Sequence, residues 1–88
     1  MTHVTEADIF SRVIDPANPS LTHEAAQAIL QLGFADGDHA RMAELAQMNN
    51  DGTISGDERR ELEGYIFVGD ILSMLKAKAA ASLNKPAA

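Results

Sequence analysis

Residues 55–83 read SGDERRELEGYIFVGDILSMLKAKAAASL, and the fold turns on how this stretch is read. It contains no proline, and its only glycines are Gly56, Gly64 and Gly69. Ser55-Gly56-Asp57-Glu58 has the spacing of a capping box, in which the Ser55 hydroxyl accepts from the Glu58 amide and the Glu58 carboxylate accepts from the Ser55 amide. A helix is therefore predicted to start after Ser55 and to run to about Leu83. With residues placed about 100° apart, Tyr65, Phe67, Val68, Ile71, Leu72, Met74, Leu75 and Ala79 share an arc of roughly half the circumference. One core contact needs a stripe of about 100° or slightly more. Such a helix either lies centrally among the others or turns part of its apolar surface to a second molecule. Phe67, Ile71 and Met74 form the edge expected to make that outside contact. Gly64 and Gly69 are unusual inside a helix, and they are expected to mark a close crossing or a kink.

Upstream, Asn49-Asn50-Asp51-Gly52 is a helix stop and turn. The helix before it is expected to be capped by Asp36 or Asp38 and to end near Met48, with Met42, Leu45 and Ala46 on a narrow apolar face. Another helix is predicted over His23 to Leu32, with Thr22 as N-cap, Gly33 as a left-handed stop and Phe34 as a core anchor. The first helix opens at Thr5, where Asp8 three residues on makes a second capping-box pattern. It carries Ile9, Phe10, Val13 and Ile14 and ends at Asp15, because Pro16 disfavours helical geometry in the residue before it. The connector DPANPS follows. Neither strand alternation nor an internal repeat is present. The expected fold is all-α: a compact four-helix bundle with a short first helix, containing a helix-loop-helix unit from Asp36 to Leu83. One domain should cover residues 1–83, with residues 84–88 a fraying tail around Pro86.

Residues 47–58, QMNNDGTISGDE, fit a second pattern. Calcium loops of the EF-hand type take oxygen ligands at loop positions 1, 3, 5, 9 and 12 and a backbone carbonyl at 7, with glycine at the sharp turn at 6. Asn49, Asp51, Gly52, Thr53, Ser55 and Glu58 fall at positions 3, 5, 6, 7, 9 and 12, and Ile54 takes the apolar position 8. The segment resembles a degenerate EF-hand or dockerin-type calcium loop. The resemblance implies Asn49, Asp51, Thr53, Ser55 and Glu58 as calcium ligands. Gln47 stands where the family places an aspartate, so only Asp51 and Glu58 bring charge. Affinity is then expected at the millimolar end of the family's range or beyond it. The same letters also read as a left-handed stop at Gly52 followed by a helix capping box, with no ion involved. A further resemblance covers GTISGDERRELEGYIFVGDILSMLKAKA, which is similar to a segment of small, uncharacterised bacterial helical proteins. It implies a shared helix-loop-helix geometry and brings no activity with it.

Composition narrows the function classes. The chain has 88 residues, a formal charge of −6 and no cysteine, which excludes disulfides, thiolate metal sites and cysteine nucleophiles. The acidic balance argues against nucleic acid as the main ligand, since affinity there rests on neutralising phosphates. Up to residue 40, six acids face Arg12 alone. No secretory pattern opens the sequence, and the apolar run Ile66 to Leu75 is about half a membrane span. The expectation is an acidic, soluble, cytoplasmic protein that does not bind membranes. His3, His23 and His39 lie in separate segments without metal-ligand spacing. Nothing in the sequence places a carboxylate in a pocket that would raise its pKa for acid-base work, and no nucleophile elbow or phosphate loop is present, so an enzyme is not expected. The expected function is a non-enzymatic protein-interaction module, self-associating through the long C-terminal helix or binding a protein partner. The alternatives are a weak calcium-binding EF-hand-like module and an antitoxin-like or adaptor partner of another protein.

Overall fold

The computed structural model describes residues 3–84. It is all-α, with four helices in the described residues: α1 (Glu6–Ile14), α2 (His23–Leu30), α3 (Asp36–Asp51) and α4 (Gly56–Leu83). The predicted tail lies, from residue 85 on, outside the described residues. The chain forms two compact units. One runs up to Leu32 and resumes at Asp70; the other is Gly33–Gly69. Helix α4 contributes to both.

In the first unit, α1 starts as its local sequence dictates. The Asp8 amide donates to Thr5 Oγ1 at 3.2 Å and the Thr5 amide donates to Asp8 Oδ2 at 2.9 Å, a complete capping box. The helix ends where Asp15 turns left-handed (φ 50°, ψ 72°), and Asp15 donates its amide to the Ser11 carbonyl at 2.9 Å. Asp15 is the only non-glycine residue with positive φ among the described residues. Thr22 caps α2 by accepting from the Ala25 amide at 3.2 Å. That helix stops at Leu30, two residues before its predicted end, and its C-cap is Gln31 in right-handed geometry. Gly33 is therefore not the left-handed stop expected of it.

The interior of this unit uses small side chains. Ala26 of α2 and Ala79 of α4 are fully buried, and Ser82 is nearly so. Ser82 Oγ accepts from the Leu21 amide at 3.2 Å, so its hydroxyl is satisfied rather than stranded. One turn earlier, Lys78 Nζ donates to the carbonyls of Asp15 (3.3 Å) and Asn18 (3.1 Å). These bonds tie the 15–21 connector to one face of α4. Ile71 sits within about 20° of both Lys78 and Ser82 around that helix, and Met74 is close by. Ile71 and Met74 are half-buried rather than an exposed strip.

The second unit is a helix-turn-helix. Helix α3 begins one residue ahead of the expected caps. Its N-cap is Ala35, which offers no side-chain bond, while Asp36 and Asp38 lie in the first turn and complement the positive helix end. It also runs past Met48 through Asp51. The stop is Gly52 (φ 73°, ψ 17°), with the Gly52 amide on the Asn49 carbonyl at 3.3 Å and the Thr53 amide on the Met48 carbonyl at 3.0 Å. This pair of bonds is a Schellman closure. After Thr53 and Ile54, the Glu58 amide donates to Ser55 Oγ at 3.1 Å and the Ser55 amide donates to Glu58 Oε1 at 2.9 Å. The predicted capping box is present, and α4 continues unbroken for 28 residues. Among the described residues, Leu45 is the one large side chain buried completely. Across the unit, Arg41 grips Glu61 with two parallel bonds, Nε to Oε2 at 2.9 Å and Nη2 to Oε1 at 2.8 Å.

Candidate functional site

The 47–58 segment places its candidate ligands unequally. Asn49 and Asp51 belong to the last turn of α3, where residues two apart project roughly 200° from each other. Asp51 Oδ1 accepts from Gln47 Nε2 at 3.0 Å. Thr53 and Ser55 lie in the turn, and the Thr53 hydroxyl reaches toward the Met48 carbonyl at 3.4 Å. Ser55 and Glu58 are brought together, and the Ser55 amide holds the Glu58 carboxyl below its ordinary range. Among the described residues, no group of three or more His, Cys, Asp or Glu side chains is clustered for a metal ion.

A cleft of about 310 Å³ opens in the second unit, lined by Phe34, Asp38, Glu61, Gly64, Tyr65 and Val68. Each wall has a local cause. Glu61, Gly64, Tyr65 and Val68 follow one another at spacings of three, one and three residues, which puts them on one side of α4. Gly64 leaves the floor low, since a Cβ there would meet nothing within 4 Å. Phe34 precedes α3 and stacks edge-on against Tyr65 (centroids 5.9 Å, 67°) and His39 (6.0 Å, 81°). The Phe34 ring also lies 3.9 Å from where a Cβ on Gly69 would sit. That is an ordinary van der Waals separation, so the site would hold a Cβ, and the helix is not interrupted there.

The polar rim of the cleft is ordered. Tyr65 donates its hydroxyl to Asp38 Oδ1 at 2.7 Å. That acceptor, helped by desolvation, raises the phenol above its ordinary range. Arg41 lowers the Glu61 carboxyl through their paired bonds, and Glu61 in turn raises the guanidinium. Arg41 also pairs with Glu44 on its own helix. From the sequence alone, Phe34 reads as a core anchor and Asp38 as a helix cap, and neither points to the cleft. The available signal was Glu61, Tyr65 and Val68 around a glycine on one helix side.

The exposed apolar surface falls mainly on other residues than those expected. Phe67, Ile71 and Met74 are half-buried. On α4 the exposed large apolar side chains are Ile66 (57% exposed) and Val68 (50%). Helix α1 buries no residue and shows Ile9 (48%), Phe10 (43%) and Val13 (76%), with Val4 exposed just ahead of its cap. No helix among the described residues is long and apolar enough to cross a membrane. No protein-family model, curated protein or solved structure matches the chain.

Proposed function

We propose that this chain is a small, non-enzymatic, cytoplasmic interaction module that self-associates through the exposed face of α1. The observation that carries this reading is the apolar face of α1 itself. Ile9 and Val13 lie one turn apart and both are exposed. Leaving such a face in water forfeits the free energy its burial would contribute, roughly 25 cal/mol per Å². Charge supports pairing with a second copy. The first turn of α1 carries Glu6 and Asp8 and its last turn carries Arg12. In an antiparallel two-fold pair, the acidic end of one helix lies beside Arg12 of the other, as a self-complementary interface requires.

The pair is expected to be weak. Nine residues make a helix about 14 Å long, which covers well under the ~800 Å² per partner of a stable interface. Light scattering over a wide concentration range should show mass rising toward a dimer. Val13→Glu should keep the chain monomeric with its helical circular dichroism intact, because Val13 is exposed. Ile71→Asp, on the edge first expected to make the contact, should instead lose helix. A wild type that stays monomeric at every concentration sinks the self-association reading and favours the adaptor or antitoxin-like alternative.

A further inference from the structure

We propose that the cleft of the Gly33–Gly69 unit binds the guanidinium of an arginine side chain presented by a basic segment of another protein. The site lies within one unit and does not depend on α1 pairing. Three features of the cleft select this ligand. The first is aromatic. Phe34 and Tyr65 line the cleft with their centroids 5.9 Å apart, and a cation seated over a ring face within about 6 Å of its centroid is attracted by the ring's quadrupole. Arginine also stacks flat on aromatic rings, which a compact ammonium does not.

The second feature is charge. The cleft carries Asp38 and Glu61, but they are not equivalent. Arg41 already grips both oxygens of Glu61 and also pairs with Glu44, so the Glu61 oxygens are occupied although this trio keeps a net negative charge. Asp38 uses Oδ1 to accept from the neutral Tyr65 hydroxyl, and Oδ2 accepts no hydrogen bond among the described residues. The carboxylate with an oxygen to spare at the aromatic wall is therefore Asp38, and a cation is its complement. The net charge of −6 adds a long-range attraction of the same sign.

The third feature is space. Gly64 forms the floor with nothing within 4 Å of a would-be Cβ. The half-exposed Val68 offers an apolar shoulder for the methylene stem. The Arg41–Glu61 fork shows that the unit already supports guanidinium–carboxylate geometry at this rim.

The test uses a natural reporter. Tyr65 is the only tyrosine and there is no tryptophan, so intrinsic fluorescence reads one ring, the one bonded to Asp38. The full chain is titrated at low salt with N-acetyl-arginine amide, and in parallel with the uncharged isostere N-acetyl-citrulline amide. The arginine compound should give a saturable change in the range of roughly tens of millimolar, about what one cation–π contact and one charge-assisted bond to Asp38 support together. The citrulline compound should bind at least about tenfold more weakly, the loss of roughly 1.4 kcal/mol. Asp38→Asn should weaken arginine binding about tenfold. Glu24→Gln, which removes an exposed acid on α2, should not. If Asp38→Asn loses helix, Val68→Lys takes its place: it sets a fixed ammonium at the mouth without touching the Tyr65–Asp38 bond. Binding should then be lost with circular dichroism unchanged. Equal responses to the two compounds, equal losses in Asp38→Asn and Glu24→Gln, or full binding by Val68→Lys would each overturn the proposal.

Discussion

Replacing glycine by alanine at two positions with equally open surroundings should change stability in opposite directions. At Gly52 and at Gly64 a Cβ would meet nothing within 4 Å, so neither substitution adds a clash with other residues. The difference lies in the backbone. Gly52 sits at φ 73°, ψ 17°, where an L side chain costs roughly 1–2 kcal/mol from its own carbonyl contacts. The restricted unfolded chain returns about 0.4–1 kcal/mol of this. Gly52→Ala should thus lose about 1 kcal/mol net. Gly64 lies in the middle of α4 in helical geometry, where alanine is better than glycine by about 0.8–1 kcal/mol. Gly64→Ala should therefore gain nearly as much. In a chain of this size 1 kcal/mol moves the melting midpoint by roughly 4–8 °C, so the two variants should melt about 10 °C apart. Urea melts of both variants beside the wild type measure the difference directly, with the slope checked for constancy. Gly52→Asn should fall between wild type and Gly52→Ala, since asparagine tolerates the left-handed region. A neutral or stabilising Gly52→Ala would mean that α3 does not close through a left-handed residue at this point. The account of the α3–α4 turn would fail with it.

Two further outcomes follow from the same elements. Ser55→Ala should cost about 1 kcal/mol through loss of the α4 cap, and Thr53→Ala less. The losses should be the same with and without millimolar calcium; a wild-type melting midpoint that rises by many degrees in sub-millimolar calcium, and no longer does so in Asp51→Ala, would favour the calcium-loop reading instead. Acid should destabilise the fold in a defined direction. Asp8, Glu58 and Glu61 are all held below their ordinary values, Asp8 and Glu58 first by hydrogen bonds from the amides of Thr5 and Ser55 and Glu61 first by Arg41. Lowered folded values mean that their contribution is fully present above the unfolded carboxylate range and is lost as pH falls through the folded values. The midpoint of urea melts should thus hold from neutral pH to about the ordinary glutamate value of 4.5 and drop below it. Glu58→Gln should flatten that drop, and an unchanged slope in this variant would remove Glu58 from the account.

The parts of the fold that were legible in the sequence are those whose causes are local. Thr5 with Asp8, Thr22 with Ala25 and Ser55 with Glu58 each join residues three apart, so the letters alone carry the interaction. The long helix could be read for the same reason, because no residue in it breaks the pattern. The ends of α3 were misplaced because two local signals compete there. Asn49 and Asn50 are weak helix formers, which drew the predicted end back to Met48. The left-handed Gly52 instead collects the bonds that close the helix, and the asparagines remain inside it.

Exposure was less legible, because it is decided by partners far away in sequence. Ser82 meets Leu21 and Lys78 meets Asp15 and Asn18 across 60 or more residues, and no helical wheel shows such bonds. Tyr65 and Asp38 are 27 residues apart, so one read as part of an apolar arc and the other as a cap. Brought together, they turn a helix side with a missing side chain at Gly64 into an aromatic cleft with a carboxylate bonded to its wall. The 47–58 segment shows the same limit from the other direction. Its letters satisfy a calcium-loop spacing and a stop-and-cap spacing at once, because both need glycine at the turn and an acid at the start of the next helix. Spacing along the chain does not separate the two; the direction in which Asn49 and Asp51 project from α3 bears on it, and that follows from where the helix ends.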